Sequence, residues 1–113
     1  HLADLEYVQF HPTALDCAAD PRPLLTEALR GAGATVIDAR GRRFLRDVHD
    51  DAELAPRDVV ARAIWQRRSA GETVLLDLRH VPDLPKRFPT AVSLCRRHRL
   101  DPLTEPVPIT PAL

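Results

Sequence analysis

Arg57 is the residue whose position most clearly indicates chemistry. It follows Pro56 at the predicted start of a helix, where the positive end of the helix dipole disfavours its permanent cation by about 0.3–1 kcal/mol. A guanidinium beside free backbone N–H groups can bind a carboxylate, and a residue that breaks a local preference often serves function. An exposed arginine paired with Asp58 or Glu53 explains the same pattern, and composition alone favours this plainer interpretation.

Glu27 and Arg30 form a second candidate pair. Their spacing on a predicted helix puts both side chains on one face, where they could form an ion pair or one link of a proton relay. Ion pairs at this spacing are common on helix surfaces, so an ordinary surface pair is the alternative.

A histidine that precedes a proline is the third candidate. His11, Pro12 and Thr13 predict a rigid turn that projects an imidazole and a hydroxyl toward the same ligand. A histidine that merely ends a strand is the more common explanation of these residues.

The sequence does not indicate a metal or nucleotide site. Cys17 and Cys95 are far apart and lack a CxxC pair, which favours reduced core thiols over zinc or a redox motif. There is no GxSxG, P-loop or GxGxxG motif, so a self-contained hydrolase, NTPase or dinucleotide-binding protein is not supported. The histidines without metal-site spacing are His1, His49, His80 and His98.

Composition indicates one soluble domain without a strongly charged partner. The 16 basic and 16 acidic residues cancel, which argues against binding to nucleic acid or anionic membranes. A hydrophobic content of 44% and a charged content of 28% are typical of a globular chain, and 113 residues suit one domain. No leader-like segment opens the chain, so a cytoplasmic location is the default expectation.

The first half of the chain predicts a strand, a helix and a hairpin to position these residues. Residues 5–10 are rich in aromatic and branched side chains and predict a strand that gives way to a loop at His11. Helical spacing predicts about two turns of helix over 24–31. A polar, glycine-containing turn between 35–37 and 43–45 predicts a hairpin.

The second half predicts two further helices and a strand. A helix is expected from Pro56 to about residue 71, a buried strand over 73–78, and a helix that starts at Pro89. The repeated prolines from Pro102 onward predict an extended tail that depends on its neighbours for order. Mixed strands and three helices without strict alternation indicate an α+β fold.

Three motifs follow one another along the chain. They are Gln9-Phe10-His11-Pro12-Thr13, Thr26-Glu27-Ala28-Leu29-Arg30-Gly31 and Ala55-Pro56-Arg57-Asp58-Val59-Val60-Ala61-Arg62. In this order the motifs resemble the capping domain of the superfamily that includes succinate dehydrogenase, fumarate reductase and L-aspartate oxidase. Within this superfamily, Pro56 and the alanine after Thr26-Glu27 are most similar to the aspartate oxidases, since the dehydrogenases usually carry other residues there.

The resemblance implies a part of a larger flavoenzyme. Residues 1–113 would be its substrate-capping domain, with FAD bound by segments outside the chain and no cofactor on the chain alone. The implied reaction oxidises L-aspartate to iminoaspartate at the start of NAD synthesis, with reoxidation by oxygen or fumarate. The implied partners are the dicarboxylate substrate, the FAD-binding domain of the same protein and quinolinate synthase.

The resemblance also implies residue roles. His11 and Thr26 resemble the residues that bind a substrate carboxylate, and Gln9 lines the same pocket in relatives. Arg57 resembles the general acid-base over the flavin. A guanidinium is a poor base unless neighbouring positive charge favours its neutral form, and a helix start fits that need. The implied proton pathway consists of Glu27 and Arg30.

Two other functions are compatible with the sequence. The cap of a succinate dehydrogenase or fumarate reductase flavoprotein would also bind a substrate with two carboxylates. A free-standing, non-catalytic interaction module is the third alternative, from a different functional class.

Overall fold

The computed structural model describes residues 11–16 and 25–112, in which one antiparallel sheet of four strands is packed against helices. The described part has the predicted α+β class, with four α-helices rather than three. Two 3₁₀ helices, Phe44–Asp47 and Ala52–Leu54, precede the longest α-helix. The elements are β1 His11–Leu15, α1 Ala28–Gly31, β2 Thr35–Asp38, α2 Arg57–Ser69, β3 Val74–Asp77, α3 Leu84–Arg87, α4 Pro89–Arg97 and β4 Val107–Ala112. Their order across the sheet is β1-β4-β3-β2.

Strand β1 corrects the predicted turn at His11. The backbone of His11 pairs with Ala112, and Ala14 pairs with Thr110, with an irregular register between the two pairs. Proline restricts the residue before it to extended geometry, and Pro12 lies in this irregular part of an edge strand, where a missing N–H is tolerated. The strand predicted to precede His11 lies outside the described residues.

Helix α1 is a single turn rather than the predicted two. Oγ1 of Thr26 accepts the N–H of Ala28 at 3.2 Å, and such a local side-chain bond favours a helix start over a helix interior. Leu25 and Leu29 are both buried, so their apolar spacing does indicate the core. The beginning of the predicted helix, at Leu24, lies outside the described residues.

The polar turn after β2 forms, but the predicted hairpin is wrong. Gly41 has a φ of +83° and donates its N–H to the carbonyl of Asp38 at 3.0 Å. The chain then enters a 3₁₀ helix at Phe44, whose ring lies 4.5 Å under the guanidinium of Arg67 on α2. Strand β2 pairs with β3 instead, because the segment expected to return beside it turns toward α2.

Helix α2 confirms the predicted long helix and forms one side of the core. Pro56 has extended backbone and caps the helix, so Arg57 is its first helical residue. The helix contacts β1, β3 and β4. Its buried face, which follows the predicted apolar stripe, consists of Val60, Ala61, Ala63 and Ile64.

The remaining predicted elements are also present. Strand β3 and helix α4 lie where the sequence predicts them, and the thiol of Cys95 on α4 is free and buried. The short helix α3 was not predicted, and it contains Pro85 in its first turn, where proline is tolerated. The extended tail becomes β4, which pairs with β1 on one side and β3 on the other.

Candidate functional site

Arg57 and Glu27 meet where α1 and α2 begin. Glu27 is the residue before α1, and Arg57 is the first residue of α2. Nε of Arg57 lies 3.0 Å from Oε1 of Glu27. In the described part of the chain, the carboxylate paired with Arg57 therefore belongs to neither Asp58 nor Glu53, the partners that the plainer interpretation names.

The contact between Arg57 and Glu27 is an ion pair without good hydrogen-bond geometry. The Nε atom of Arg57 is buried and has no hydrogen-bond partner among the described residues, although Oε1 of Glu27 is close. The Arg57 side chain is 37% exposed and that of Glu27 is 44% exposed. Arg57 is thus anchored on one side and keeps a part-exposed guanidinium, which is suited to a second carboxylate.

Arg30 lies behind this pair and is almost fully buried. Its side chain is 4% exposed, and its Nη2 atom lies 3.8 Å from Oε1 of Glu27. Nη1 donates to the backbone carbonyl of Glu53 at 3.2 Å, whereas Nε has no hydrogen-bond partner in the described part. Burial lowers the pKa of Arg30, the carboxylate of Glu27 opposes that shift, and the cation of Arg57 adds to it.

Glu53 is a buried carboxylate that sequence reasoning did not place at the site. Its Oε2 accepts the backbone N–H of Val36 at 3.0 Å, and its Oε1 lies 2.6 Å from Nη2 of Arg43. Burial alone would raise the pKa of Glu53, but these hydrogen bonds outweigh it and hold the pKa below its usual value. In the sequence, Glu53 only continues an acidic run with Asp50 and Asp51, so its burial gives no local signal.

The predicted substrate-binding residues are described to different extents. Thr26 is exposed, directly before Glu27, and its hydroxyl oxygen accepts the N–H of Ala28. A hydroxyl that accepts one hydrogen bond can still donate its own proton, so Thr26 can bind a carboxylate while it caps α1. His11 is described through its backbone in β1, and Gln9 lies outside the described residues.

The arrangement brings all three predicted catalytic residues into one row. Oε1 of Glu27 is the shared anion between the guanidinium groups of Arg57 and Arg30. One end of the row is part-exposed at Arg57, and the other end is buried at Arg30. A row with this order of exposure could bind an anion at its open end and pass a proton inward, since Arg30 is the cation whose environment disfavours charge.

Other kinds of site find no support in the part of the chain that the structure describes. No group of three or more histidine, cysteine or acidic side chains is arranged to hold a metal ion there. None of the helices in residues 11–16 and 25–112 is both long and apolar enough to cross a bilayer.

Curated relatives match nearly the whole length of the chain. It is 53% identical over 113 residues to the L-aspartate oxidase of Mesorhizobium japonicum, an alignment that covers 98% of the chain and 22% of that protein. It is 48% identical over 118 residues to the L-aspartate oxidase of Streptomyces coelicolor, covering 98% of the chain and 20% of the relative. The chain thus spans about a fifth of the length of these relatives.

Solved structures and a family model agree with this similarity. A quinol-fumarate reductase structure with menaquinol molecules superposes with a TM-score of 0.81 at 32% identity, covering 96% of the chain and 22% of the solved chain. The family model described as the FAD binding domain matches residues 1–112. The three ordered motifs, the α+β fold and this match over nearly every residue together establish that the chain belongs to the FAD binding domain family.

Proposed function

We propose that the chain, residues 1–113, is the substrate-capping domain of an FAD-dependent L-aspartate oxidase. The observation that carries this proposal is the 53% identity to an L-aspartate oxidase over 98% of the chain. The row formed by Arg57, Glu27 and Arg30 supports this proposal. An enzyme that oxidises a dicarboxylate needs a cation to bind a carboxylate group and a pathway for the proton that the substrate loses.

The described residues fit the substrate side of a flavin site better than the side that holds the cofactor. The guanidinium of Arg57 is part-exposed, and its Nε atom has no hydrogen-bond partner among the described residues, which suits an anionic substrate. The sequence has no GxGxxG motif to cradle a pyrophosphate. We therefore propose that FAD is held by segments outside this chain, where it supplies the acceptor for two electrons from the substrate.

In this function the chain's own residues bind the substrate and move its proton. His11, Thr26 and Gln9 are assigned to the substrate carboxylates. Arg57 is assigned to acid-base transfer at the reacting carbon, and Glu27 and Arg30 are assigned to the proton pathway that leads away from Arg57. Closure of the cap would exclude water and bring Arg57 over the reacting atoms.

The proposal extends to the metabolic setting. The product would be iminoaspartate, which contributes to NAD biosynthesis, and quinolinate synthase would be the partner that consumes it. A cytoplasmic location and a bacterial source complete the proposal, and the curated relatives named above come from Mesorhizobium and Streptomyces.

The full-length protein that carries this chain provides the test. It should oxidise L-aspartate with either oxygen or fumarate as acceptor, and it should release flavin on denaturation because FAD is bound noncovalently. Iminoaspartate is trapped through its hydrolysis to oxaloacetate and ammonia, which are both measured. Oxidation of succinate without oxidation of L-aspartate would instead identify a succinate dehydrogenase or fumarate reductase flavoprotein.

A further inference from the structure

We propose that Glu53 is a positioning residue that holds Arg30 against the Arg57–Glu27 pair. This inference rests on the proposed function, because the row that Glu53 supports is the one assigned to proton transfer. Glu53 itself lies behind Arg30 and is not a catalytic residue.

The carboxylate of Glu53 ties the segment before α2 to the sheet. Oε2 of Glu53 accepts the N–H of Val36, in the interior of β2, and also lies 3.4 Å from Nε of Arg43. Oε1 lies 2.6 Å from Nη2 of Arg43. A carboxylate that is 5% exposed and held by three donors has one position, so the 3₁₀ helix that carries it is fixed on β2.

The backbone of Glu53 transmits this position to Arg30. Its carbonyl accepts the hydrogen bond from Nη1 of Arg30, the one hydrogen bond that the structure gives this guanidinium among the described residues. Because burial disfavours the Arg30 cation, the nearby charge of Glu53 also supports it electrostatically. Glu53 therefore helps to fix where Arg30 lies, and its charge adds to the larger stabilising effect of Glu27 on the Arg30 cation.

The same anchor also reaches Arg57 through the chain. Glu53 precedes the start of α2 by a short extended connection at Ala55 and Pro56. Displacement of the 3₁₀ helix would move Arg57 relative to Glu27, whose carboxylate belongs to a separate segment. A single buried carboxylate thus sets the spacing within a row assembled from two distant parts of the sequence.

Glu53→Gln in the full-length, FAD-loaded protein tests the proposal. Glutamine keeps the backbone carbonyl and an acceptor for Val36 but removes the charge and weakens the bond to Arg43. We expect kcat for L-aspartate to fall about 10- to 100-fold while KM changes less than about threefold. The solvent deuterium isotope effect on kcat should rise, because proton transfer becomes more rate-limiting, and a merely structural defect would not produce this.

Glu72→Gln is the matched control. Glu72 makes an exposed ion pair with Arg67 at 3.4 Å, so the same chemical change there should leave kcat, KM and the isotope effect unaltered. An unchanged kcat in Glu53→Gln overturns the inference, as does a fall that disappears when activity is expressed per bound FAD. If Glu53→Gln does not fold, Arg43→Gln replaces it, because the Arg43 side chain is 42% exposed and its loss removes two of the three donors to the Glu53 carboxylate.

Arg43→Gln should lower kcat and raise the solvent isotope effect, as expected for Glu53→Gln. An unaltered kcat in Arg43→Gln contradicts the inference. The proposed function fails separately, if the wild-type protein does not oxidise L-aspartate at all. Where the wild type oxidises it and Arg30→Gln is impaired but Glu53→Gln is not, the positioning role alone is wrong.

Discussion

Nε of Arg57 lies 3.0 Å from Oε1 of Glu27, and that oxygen is also the one that faces Nη2 of Arg30 at 3.8 Å. A single carboxylate oxygen is thus shared by two guanidinium groups that differ in exposure. The difference matters because only the part-exposed cation can meet a ligand, whereas burial lowers the pKa of the other guanidinium, that of Arg30.

Arg57→Lys in the full-length protein should lose most of its turnover and keep its fold. Lysine preserves the charge but not the planar fork that binds a carboxylate and transfers a proton. We expect kcat for L-aspartate to fall about 100- to 10,000-fold, as for other positioned acid-base groups, with bound FAD unchanged. Arg62→Lys, at an exposed position of α2, is the control. Near-normal oxidation in both variants would remove Arg57 from the catalytic assignment.

The 113-residue chain expressed alone should fold cooperatively and be colourless. The core around α2 and the sheet supplies the stability, whereas the FAD site is proposed to lie in other segments. Absorbance in the flavin bands shows whether the chain binds flavin, and a thermal unfolding curve shows whether it unfolds cooperatively. A stoichiometric flavin in the purified chain would contradict the capping-domain assignment.

Truncation of the core face of α2 should destabilise the chain far more than truncation of its outer face. Ile64 is fully buried, so Ile64→Ala should lower the free energy of unfolding by about 2–5 kcal/mol. Its neighbour Trp65 is 59% exposed, and Trp65→Ala should cost much less despite the larger side chain. Urea denaturation compares the two variants, and equal losses would mean that α2 packs through a different face.

Acid should weaken the fold in part through Asp77. Hydrogen bonds from Arg79 lower the pKa of Asp77 against the opposing effect of burial. Because the pKa is lower in the folded state, the stabilisation is present above the unfolded value of about 3.9 and is lost as the pH falls through the folded pKa. In denaturation curves measured from pH 6 downward, the free energy of unfolding of Asp77→Asn should fall less with pH than that of the wild type. Arg79→Gln should have the same effect, because it removes the hydrogen-bond partner of Asp77.

Cys95 should be unreactive while the chain is folded. Burial raises the pKa of its thiol to about 11, so very little thiolate exists at neutral pH. In a Cys17→Ser background, labelling by a thiol reagent should follow the rate of global unfolding, with the urea-denatured chain as the fast control. Rapid labelling under native conditions would show that α4 opens locally.

Local patterns predicted the elements whose structure is determined locally. The apolar spacing along α2 and the proline at the start of α4 suffice to define those helices, and both are present. The segment after Gly41 was misassigned because its conformation depends on a contact with another element. In that contact, the guanidinium of Arg67 on α2 lies over the ring of Phe44. The turn predicted at His11 was wrong because His11 lies in β1, which pairs with β4 from the far end of the sequence.

Helix position and spacing singled out the individual candidates, but only the motifs assigned Arg57, Glu27 and Arg30 to one site. Glu27 and Arg30 are three residues apart, but nothing local connects them to Arg57, so the row emerged from the family resemblance and its geometry from the structure. Glu53 was missed because burial, not residue type, distinguishes it from the other acids of its run. Such a role depends on contacts with Val36 and Arg43 in other segments.

The position of β4 between β1 and β3 also determines when the sheet can be completed. Of the four strands in the described residues, β1 is synthesised first, and β4, which pairs with β1 and joins it to β3, is synthesised last. Long-range pairing of this kind slows folding because the intervening loop must close before its contacts form. On the ribosome, β1 therefore cannot pair with β4 until Val107–Ala112 has left the exit tunnel.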